Sequence, residues 1–258
     1  MYFFTSEACV PMRSQPSEAA EMVSQLLFGD LVMGVERKEN WIKVESLEDK
    51  YEGWVSQNML ITIDEDDQRR LRTWRYVHEQ GLLLQLPDGS DMLLPVGARI
   101  PYMLTKNEKY VFRIGNQEWQ ANMHNGFKPT LPPTNLLTTA EQFLNTPYLW
   151  GGRGGFGIDC SGFTQVTYRM HGILIGRDSS MQAKQGKEVA FLDRRVGDLV
   201  FFRKPNQNKI THVGISSVKG EIIHCSGKVR KDILTNEGIV HKQTQTLTHQ
   251  LIGIKRYY

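Results

Sequence analysis

Residues 148–163 read Tyr-Leu-Trp-Gly-Gly-Arg-Gly-Gly-Phe-Gly-Ile-Asp-Cys-Ser-Gly-Phe, a glycine-rich loop that runs into a helical pattern. Five glycines fall within residues 151–157. Glycine adopts positive φ freely and allows a backbone to approach a ligand closely. Phe163, Val166 and Met170 then recur at helical spacing, which predicts a buried helix face. This stretch therefore predicts a loop that leads directly into a helix, a suitable place for a functional site.

Asp159 and Cys160 stand where this helix should begin. Aspartate is a preferred N-cap residue because its side chain accepts a hydrogen bond from the first turn. Cys160 would then lie in that turn, where backbone N–H groups and the helix dipole stabilise a thiolate and lower the pKa of the thiol. We therefore consider Cys160 a candidate nucleophile, with a buried structural cysteine as the alternative.

A nucleophilic cysteine needs a base, and two histidines lie in candidate strands with matching parity. His212 and His224 flank the candidate hairpin turn 218–220. If Gly214 pairs with His224, the two imidazoles face the same side of the sheet as diagonal neighbours. Cys160 would then be the nucleophile, His212 the general base and His224 the residue that orients it. Histidines without such a context are interpreted as surface or packing residues: His78, His124, His171, His241 and His249.

Two other ligand chemistries are compatible with parts of this pattern. The glycines of residues 152–157 match the spacing of a dinucleotide-binding fingerprint, but Pro147 stands where a buried strand would have to precede it. The cysteine and the two histidines could instead hold a zinc ion with one open position, because the long separations between them neither support nor exclude such a site.

The composition is that of a soluble globular protein. The 258 residues are 40% hydrophobic and 23% charged, enough for one or two hydrophobic cores. A net charge of +3 without a dense basic run argues against nucleic-acid or membrane-surface partners. Three widely spaced cysteines without a CxxC motif indicate reduced thiols. No signal peptide and no membrane-spanning run are recognised, so we expect a cytoplasmic location, or a periplasmic one if the chain has been processed.

Three domains are expected along the chain. Residues 1–62 contain short β-prone runs separated by polar turns, typical of a small barrel. Residues 63–134 show weaker β patterning and end in a Pro-rich segment. In residues 135–258, a helix capped by Thr138 or Thr139, the glycine-rich loop and a second helix precede consecutive candidate strands. Helices followed by a run of strands indicate an α+β domain.

The third domain resembles the NlpC/P60 family of papain-like cysteine peptidases. The motifs that carry the resemblance are Tyr148-x-Trp150-Gly151-Gly152, Asp159-Cys160-Ser161-Gly162-Phe163, Arg177-Asp178-Ser179-Ser180-x-Gln182, the run from Val196 to Phe202, and His212-Val213-Gly214-Ile215. The run from Tyr51 to Ser56 resembles part of a bacterial SH3 (SH3b) domain. The combination is similar to the γ-D-glutamyl-L-diamino acid endopeptidases of murein-peptide recycling. It implies two small all-β SH3-like barrels followed by an α+β papain-like domain.

The resemblance implies a role for each matching residue. Cys160 would be the nucleophile, His212 the base and His224 the polar third residue. The hydroxyl of Tyr148 and the backbone N–H of Cys160 would hold the oxyanion. The positions expected to contact the L-Ala-γ-D-Glu part of the substrate are Asp159, Ser161, Asp178 and Ser179, together with Tyr51 and Glu21 of the first SH3b domain.

The implied activity is hydrolysis of the amide bond between the γ-carboxyl group of D-Glu and a diamino acid. The partner would be a murein-derived peptide, L-Ala-γ-D-Glu-diamino acid, and neither a cofactor nor a metal is implied. Asp159 would hold the free amino terminus by a charge-assisted hydrogen bond, which would exclude intact cross-linked murein. The alternatives are an NlpC/P60 amidase or acyltransferase that acts on intact wall or lipid, and a non-catalytic murein-peptide binding protein.

Overall fold

The computed structural model of this chain describes residues 1–71, 73–101, 104–106, 109–122, 126–205 and 207–258. His124 and the other positions between these ranges lie outside that description. The chain forms two compact units, Met1–Thr130 and Leu131–Tyr258. Within the described ranges, no helix is both long enough and apolar enough to cross a membrane.

The first unit begins with a seven-stranded antiparallel sheet. Its strands are β1 (Tyr2–Thr5), β2 (Cys9–Arg13), β3 (Met22–Leu27), β4 (Leu31–Lys38), β5 (Trp41–Ser46), β6 (Glu52–Ser56) and β7 (Leu60–Ile63), in the order β3-β2-β6-β5-β4-β1-β7. In β5, Ile42 and Val44 are buried while Trp41 and Lys43 are half-exposed. This alternation places one face of each strand in a core that also contains Phe3.

The remainder of the first unit contains two smaller sheets. Its elements are α1 (Glu65–Arg70), β8 (Trp74–Val77), β9 (Leu83–Gln85), β10 (Asp91–Leu93), β11 (Arg99–Pro101), β12 (Leu104–Lys106), β13 (Lys109–Ile114), β14 (Gln117–Asn122) and β15 (Phe127–Lys128). The sheet orders are β10-β9-β14-β13-β12 and β11-β8-β15. The side chain of Asp64 caps α1 by accepting a hydrogen bond from the backbone of Asp67.

Aromatic packing joins the two β-rich parts of the first unit. Trp119 stacks on Phe112 with ring centroids 5.5 Å apart, and both rings pack against Phe28. Arg99 adds polar contacts, because it donates hydrogen bonds to Glu48 at 2.6 Å and to the carbonyl of Gly29 at 3.0 Å. A shared core of this kind makes residues 1–130 one compact unit.

The second unit combines three helices with a closed sheet. Its elements are α2 (Leu136–Glu141), β16 (Arg153–Gly154), β17 (Gly157–Ile158), α3 (Cys160–Arg169), α4 (Ser179–Gln182), β18 (Lys187–Glu188), β19 (Leu199–Arg203), β20 (His212–Ser216), β21 (Glu221–Ser226), β22 (Lys228–Leu234), β23 (Gly238–Val240) and β24 (Leu247–Arg256). The main sheet has the order β18-β24-β19-β20-β21-β22-β23, and β23 also pairs with β24. That pairing closes a six-stranded ring, which leaves only β18 at an edge.

Two expectations about the second unit can be compared with the structure. The predicted order, a helix, a glycine-rich loop, a second helix and then strands, is present. The predicted start of the first helix is wrong, because α2 begins at Leu136 after Asn135, and Thr138 lies inside it. The 3-10 turn Pro133–Asn135 leads directly into α2 and supplies its first turn, so no side-chain cap is used there.

Candidate active site

The start of α3 is fixed by Asp159. Its side chain accepts a hydrogen bond from the backbone N–H of Gly162 at 2.6 Å, and its backbone is extended, as an N-cap residue requires. The other carboxylate oxygen accepts from the backbone N–H of Gly151 at 3.0 Å. A Cβ at Gly162 would lie 2.2 Å from the carbonyl oxygen of Gly152, so only glycine fits there. The predicted N-cap is confirmed, and the glycine-rich loop is tied to the first turn of the helix.

Cys160 is the first residue of α3 and lies beside β20. Cys160 is 9% exposed, and the backbone of Val213, the residue after His212, lies close enough to affect the pKa of the thiol. Burial, and after it the charge of Asp159, raise the pKa of the Cys160 thiol to about 12, against the backbone groups of Val213 and Ser161, which lower it. The expectation that the helix start lowers this pKa is therefore wrong: desolvation outweighs the dipole. At neutral pH Cys160 is therefore a thiol.

The two candidate histidines meet across a β-hairpin. Gly214 pairs with His224, which confirms the predicted register. Nε2 of His212 lies 2.8 Å from Nδ1 of His224, and both side chains are buried. Burial lowers the pKa of His212 well below the usual histidine value, and the neighbouring imidazoles of His224 and His249 lower it further. His212 is therefore neutral at pH 7, the state in which an imidazole can accept a proton.

Two residues of this cluster were missed by the sequence analysis. Nε2 of His224 lies 3.0 Å from Oδ2 of Asp232 in β22. Asp232 shares its strand face with buried Leu234, and the sequence analysis assigned no strand to this segment, so the buried acidic residue was not recognised. His249 in β24 stacks on His212 with ring centroids 4.3 Å apart, although it was interpreted as a surface or packing residue. Burial lowers the pKa of His249 to about 4.

Asp159 and Ser161, both expected in the substrate pocket, are engaged inside the protein. Arg177 donates to both carboxylate oxygens of Asp159, at 3.1 and 2.6 Å, and to the hydroxyl of Ser161 at 3.0 Å. The Ser161 hydroxyl itself donates to Asp159 at 3.2 Å. With the two backbone donors, the carboxylate accepts five hydrogen bonds, which exhausts its roughly four lone-pair sites. A substrate ammonium would have to replace one of these donors, so this role of Asp159 stays a prediction.

Tyr148 lies near Cys160 and Asp159. Its side chain is 38% exposed, and its backbone N–H donates to the carbonyl of Gly227 at 2.9 Å. Burial, followed by the nearby groups of Cys160 and Asp159, raises the pKa of the Tyr148 hydroxyl. The hydroxyl therefore keeps its proton at neutral pH and can donate a hydrogen bond. Its predicted role at an oxyanion remains a prediction.

The remaining predicted binding residues lie in two places. Asp178 precedes α4 and Ser179 begins it, and both are half-buried. Tyr51 packs partly buried against the core of the first sheet, whereas Glu21 is exposed and its carbonyl accepts from the backbone N–H of Ser14 at 2.9 Å. Their contacts with substrate stay predictions. In the described part of the chain, no group of three or more His, Cys, Asp and Glu side chains is arranged to hold a metal ion.

Comparison with known proteins relates both units to described families. The NlpC/P60 family matches residues 145–248, and the bacterial dipeptidyl-peptidase SH3 domain matches residues 12–60. A γ-D-glutamyl-L-lysine dipeptidyl-peptidase of Bacillus cereus is 28% identical over 260 residues, covering 93% of this chain and 77% of that protein. A protein of the same name from Bacillus subtilis is 39% identical over 112 residues, covering 42% of this chain and 38% of that protein.

A solved structure agrees in fold. The crystal structure of an NlpC/P60 family protein from Bacillus cereus has a TM-score of 0.85 and 23% sequence identity, covering 100% of this chain and 99% of that one. The predicted fold class, N-terminal all-β domains followed by an α+β papain-like domain, is confirmed. The label SH3 for residues 63–134 stays a prediction. Residues 145–248 therefore form a domain of the NlpC/P60 cysteine peptidase type, and residues 12–60 match a bacterial SH3 domain.

Proposed function

We propose that this protein is an endopeptidase that hydrolyses the amide bond between the γ-carboxyl group of D-Glu and a diamino acid in murein-derived peptides. The names of the Bacillus relatives, γ-D-glutamyl-L-lysine dipeptidyl-peptidases, favour L-lysine on the leaving side. The observation that carries the proposal is the position of Cys160 at the start of α3, close to the backbone of Val213, which follows His212 in the chain, while the His212 imidazole pairs with that of His224.

The chemistry begins from a neutral thiol and a neutral imidazole. As the sulfur of Cys160 attacks the γ-carbonyl carbon of D-Glu, His212 accepts the thiol proton, and the carbonyl oxygen becomes an oxyanion. The backbone N–H of Cys160 and the hydroxyl of Tyr148 are suited to stabilise this charge, at roughly 3–4 kcal/mol for each well-placed donor.

Three proton transfers complete the reaction. The His212 imidazolium gives its proton to the leaving amine of the diamino acid, which leaves a thioester between Cys160 and the dipeptide. Water gives a proton to His212 as it attacks the thioester carbonyl. The C–S bond then breaks, L-Ala-γ-D-Glu is released, and the imidazolium returns the proton to the Cys160 sulfur.

Recognition of the free amino terminus of L-Ala is the finer part of the proposal. An ammonium can contact Asp159 only by replacing one of its five donors, and the longest of these hydrogen bonds comes from Ser161, at 3.2 Å. Asp178 is a second carboxylate in the predicted binding set, at the start of α4. The preference is the ratio of kcat/KM for the free peptide to kcat/KM for the N-acetylated peptide. We expect both Asp159→Asn and Asp178→Asn to lower this ratio. The larger decrease should be found for the residue that binds the ammonium.

Mass spectrometry of the products tests the proposal. L-Ala-γ-D-Glu-L-Lys should give L-Ala-γ-D-Glu and lysine, whereas the N-acetylated peptide and intact sacculi should react far more slowly. Cys160→Ala should abolish turnover but retain binding, and Cys9→Ala, a change at the other end of the chain, should leave turnover unchanged. Equal cleavage of free and acetylated peptides would contradict the specificity. Cleavage of sacculi alone would favour a wall amidase, and binding without turnover by the unaltered protein would favour a binding protein.

A further inference from the structure

We infer that Asp232 is a positioning residue that fixes which ring nitrogens of His224 and His212 carry protons, and so makes Nδ1 of His212 the atom that accepts the Cys160 proton. The inference rests on the proposed function for its catalytic consequence. The proton pattern itself follows from the hydrogen bonds around Asp232 and can be measured without substrate.

The first step is the state of Asp232. Its side chain is 2% exposed and is surrounded by donors: Nε of Arg230 at 2.9 Å, the backbone N–H of Lys242 at 2.9 Å, and Nε2 of His224 at 3.0 Å. Burial opposes its charge, but the hydrogen bonds from His224, Lys242 and Arg230 outweigh burial and lower the pKa of Asp232. Asp232 is therefore an ionised carboxylate that only accepts hydrogen bonds.

The second step passes this constraint to His224. Because the carboxylate only accepts, Nε2 of His224 must carry a proton in order to form the 3.0 Å contact. His224 is fully buried, and burial lowers its pKa, so the ring is neutral and carries a single ring proton. Nδ1 of His224 is then an unprotonated nitrogen that accepts a hydrogen bond.

The third step passes the constraint to His212. Its Nε2 lies 2.8 Å from the unprotonated Nδ1 of His224, so Nε2 of His212 must be the donor. His212 is also neutral, which leaves the lone pair on its Nδ1. If the side chain at position 232 donated a hydrogen bond to Nε2 of His224 instead, His224 would carry its proton on Nδ1 and donate to Nε2 of His212. His212 would then carry its own proton on Nδ1 and could not accept one there. In serine proteases, replacing the aspartate of the catalytic triad by asparagine holds the histidine in the wrong tautomer and lowers kcat about 10⁴-fold.

Other charged groups around the two histidines do not replace this constraint. Arg230 neutralises Asp232 and also donates to the carbonyl of Ser226 at 2.9 Å. His249 stacks on His212 face to face, a geometry in which it does not compete for the ring nitrogens of His212. Lys204 and His241 act only through their charge. Among the residues that the structure describes, Asp232 is the one carboxylate that hydrogen-bonds to this pair.

The test is ¹⁵N NMR of the histidine rings in the full-length protein at pH 7, with Asp232→Asn as the variant. In the unaltered protein, Nε2 of both His212 and His224 should be protonated and both Nδ1 atoms unprotonated. In Asp232→Asn, the amide NH₂ takes the place either of Oδ1, which accepts from the backbone N–H of Lys242, or of Oδ2, which accepts from both His224 and Arg230. The backbone N–H of Lys242 cannot turn away, whereas His224 can change tautomer and Arg230 can swing toward solvent, so the NH₂ should face His224.

We therefore expect both histidines of Asp232→Asn to carry the proton on Nδ1, and kcat for L-Ala-γ-D-Glu-L-Lys to fall on the order of 10³-fold or more while KM changes little. The matched control is Asp198→Asn, which removes another buried carboxylate that accepts from an arginine, Arg256 at 2.8 Å, and from a backbone N–H, Arg195 at 2.7 Å. This control should keep the tautomers and kcat of the unaltered protein.

Three results would overturn the inference: a proton on Nδ1 of His212 in the unaltered protein, loss of activity in Asp232→Asn with unchanged tautomers, or changed tautomers with unchanged kcat. If Asp232→Asn does not fold, the spectrum of the unaltered protein decides alone. The expected tautomers together with no turnover of any murein peptide would refute the proposed function while supporting the proton pattern.

Discussion

Breaking the buried ion pair between Asp159 and Arg177 should destabilise the second unit by about 3–5 kcal/mol. The two side chains are 8% and 1% exposed, and two charge-assisted hydrogen bonds of 2.6 and 3.1 Å join them. In Arg177→Met, the carboxylate keeps the backbone donors of Gly151 and Gly162 but loses both guanidinium bonds, so a negative charge stays buried without its cation. In Asp159→Asn, the cap keeps its shape while Arg177 loses its carboxylate.

A double-mutant cycle measures this effect. The double variant of Asp159 and Arg177 should lose less free energy of unfolding than the sum of the two single variants, by about 1.5–3 kcal/mol, because the second change removes no further interaction between them. Urea unfolding is followed by the NMR amide signals of residues 131–258, so that only the second unit is scored.

The exposed pair Lys242–Glu221 in the same unit is the control. Its side chains are 55% and 23% exposed and lie 2.7 Å apart. Lys242→Met and Glu221→Gln should each change the free energy of unfolding by less than about 1 kcal/mol. Strictly additive losses at Asp159 and Arg177, or losses as small as those of this control, would refute the argument from burial.

Three further predictions concern the geometry and protonation of the site. Because the pKa of Cys160 is raised to about 12, its alkylation by iodoacetamide in the substrate-free protein should accelerate with pH up to pH 10, and mass spectrometry that finds a plateau below pH 8 would contradict this. Gly162→Ala should abolish activity, since its Cβ would clash with the carbonyl of Gly152, whereas Gly253→Ala, where nothing lies within 4 Å, should retain it. The folded-state pKa of His249 is lowered to about 4, so below pH 6.5 the unfolded chain binds more protons than the folded one. Tm should therefore fall between pH 7 and pH 5, and the fall should be smaller in His249→Gln; an equal fall in both proteins would argue against this assignment.

Local features of the second unit could be predicted from the sequence because they depend on neighbours along the chain. The cap at Asp159 involves a backbone N–H three residues away, and this local pattern predicted the start of α3 correctly. The facing of His212 and His224 followed from strand parity and one short turn. The start of α2 was mispredicted, since a preceding 3-10 turn, rather than a side-chain cap, leads into that helix.

Sequence patterns predicted the domain order, the nucleophile candidate and the pair of histidines, because each depends on spacing within short segments. The electrostatic state of these residues depends instead on how distant segments pack. Burial against β20 raises the pKa of Cys160 where the isolated helix start would lower it. Arg177, which lies outside α3, donates hydrogen bonds to the carboxylate of Asp159. Asp232, on the next strand, accepts a hydrogen bond from His224. Desolvation and charge pairing depend on which segments pack together, and that information is absent from any single stretch of the chain.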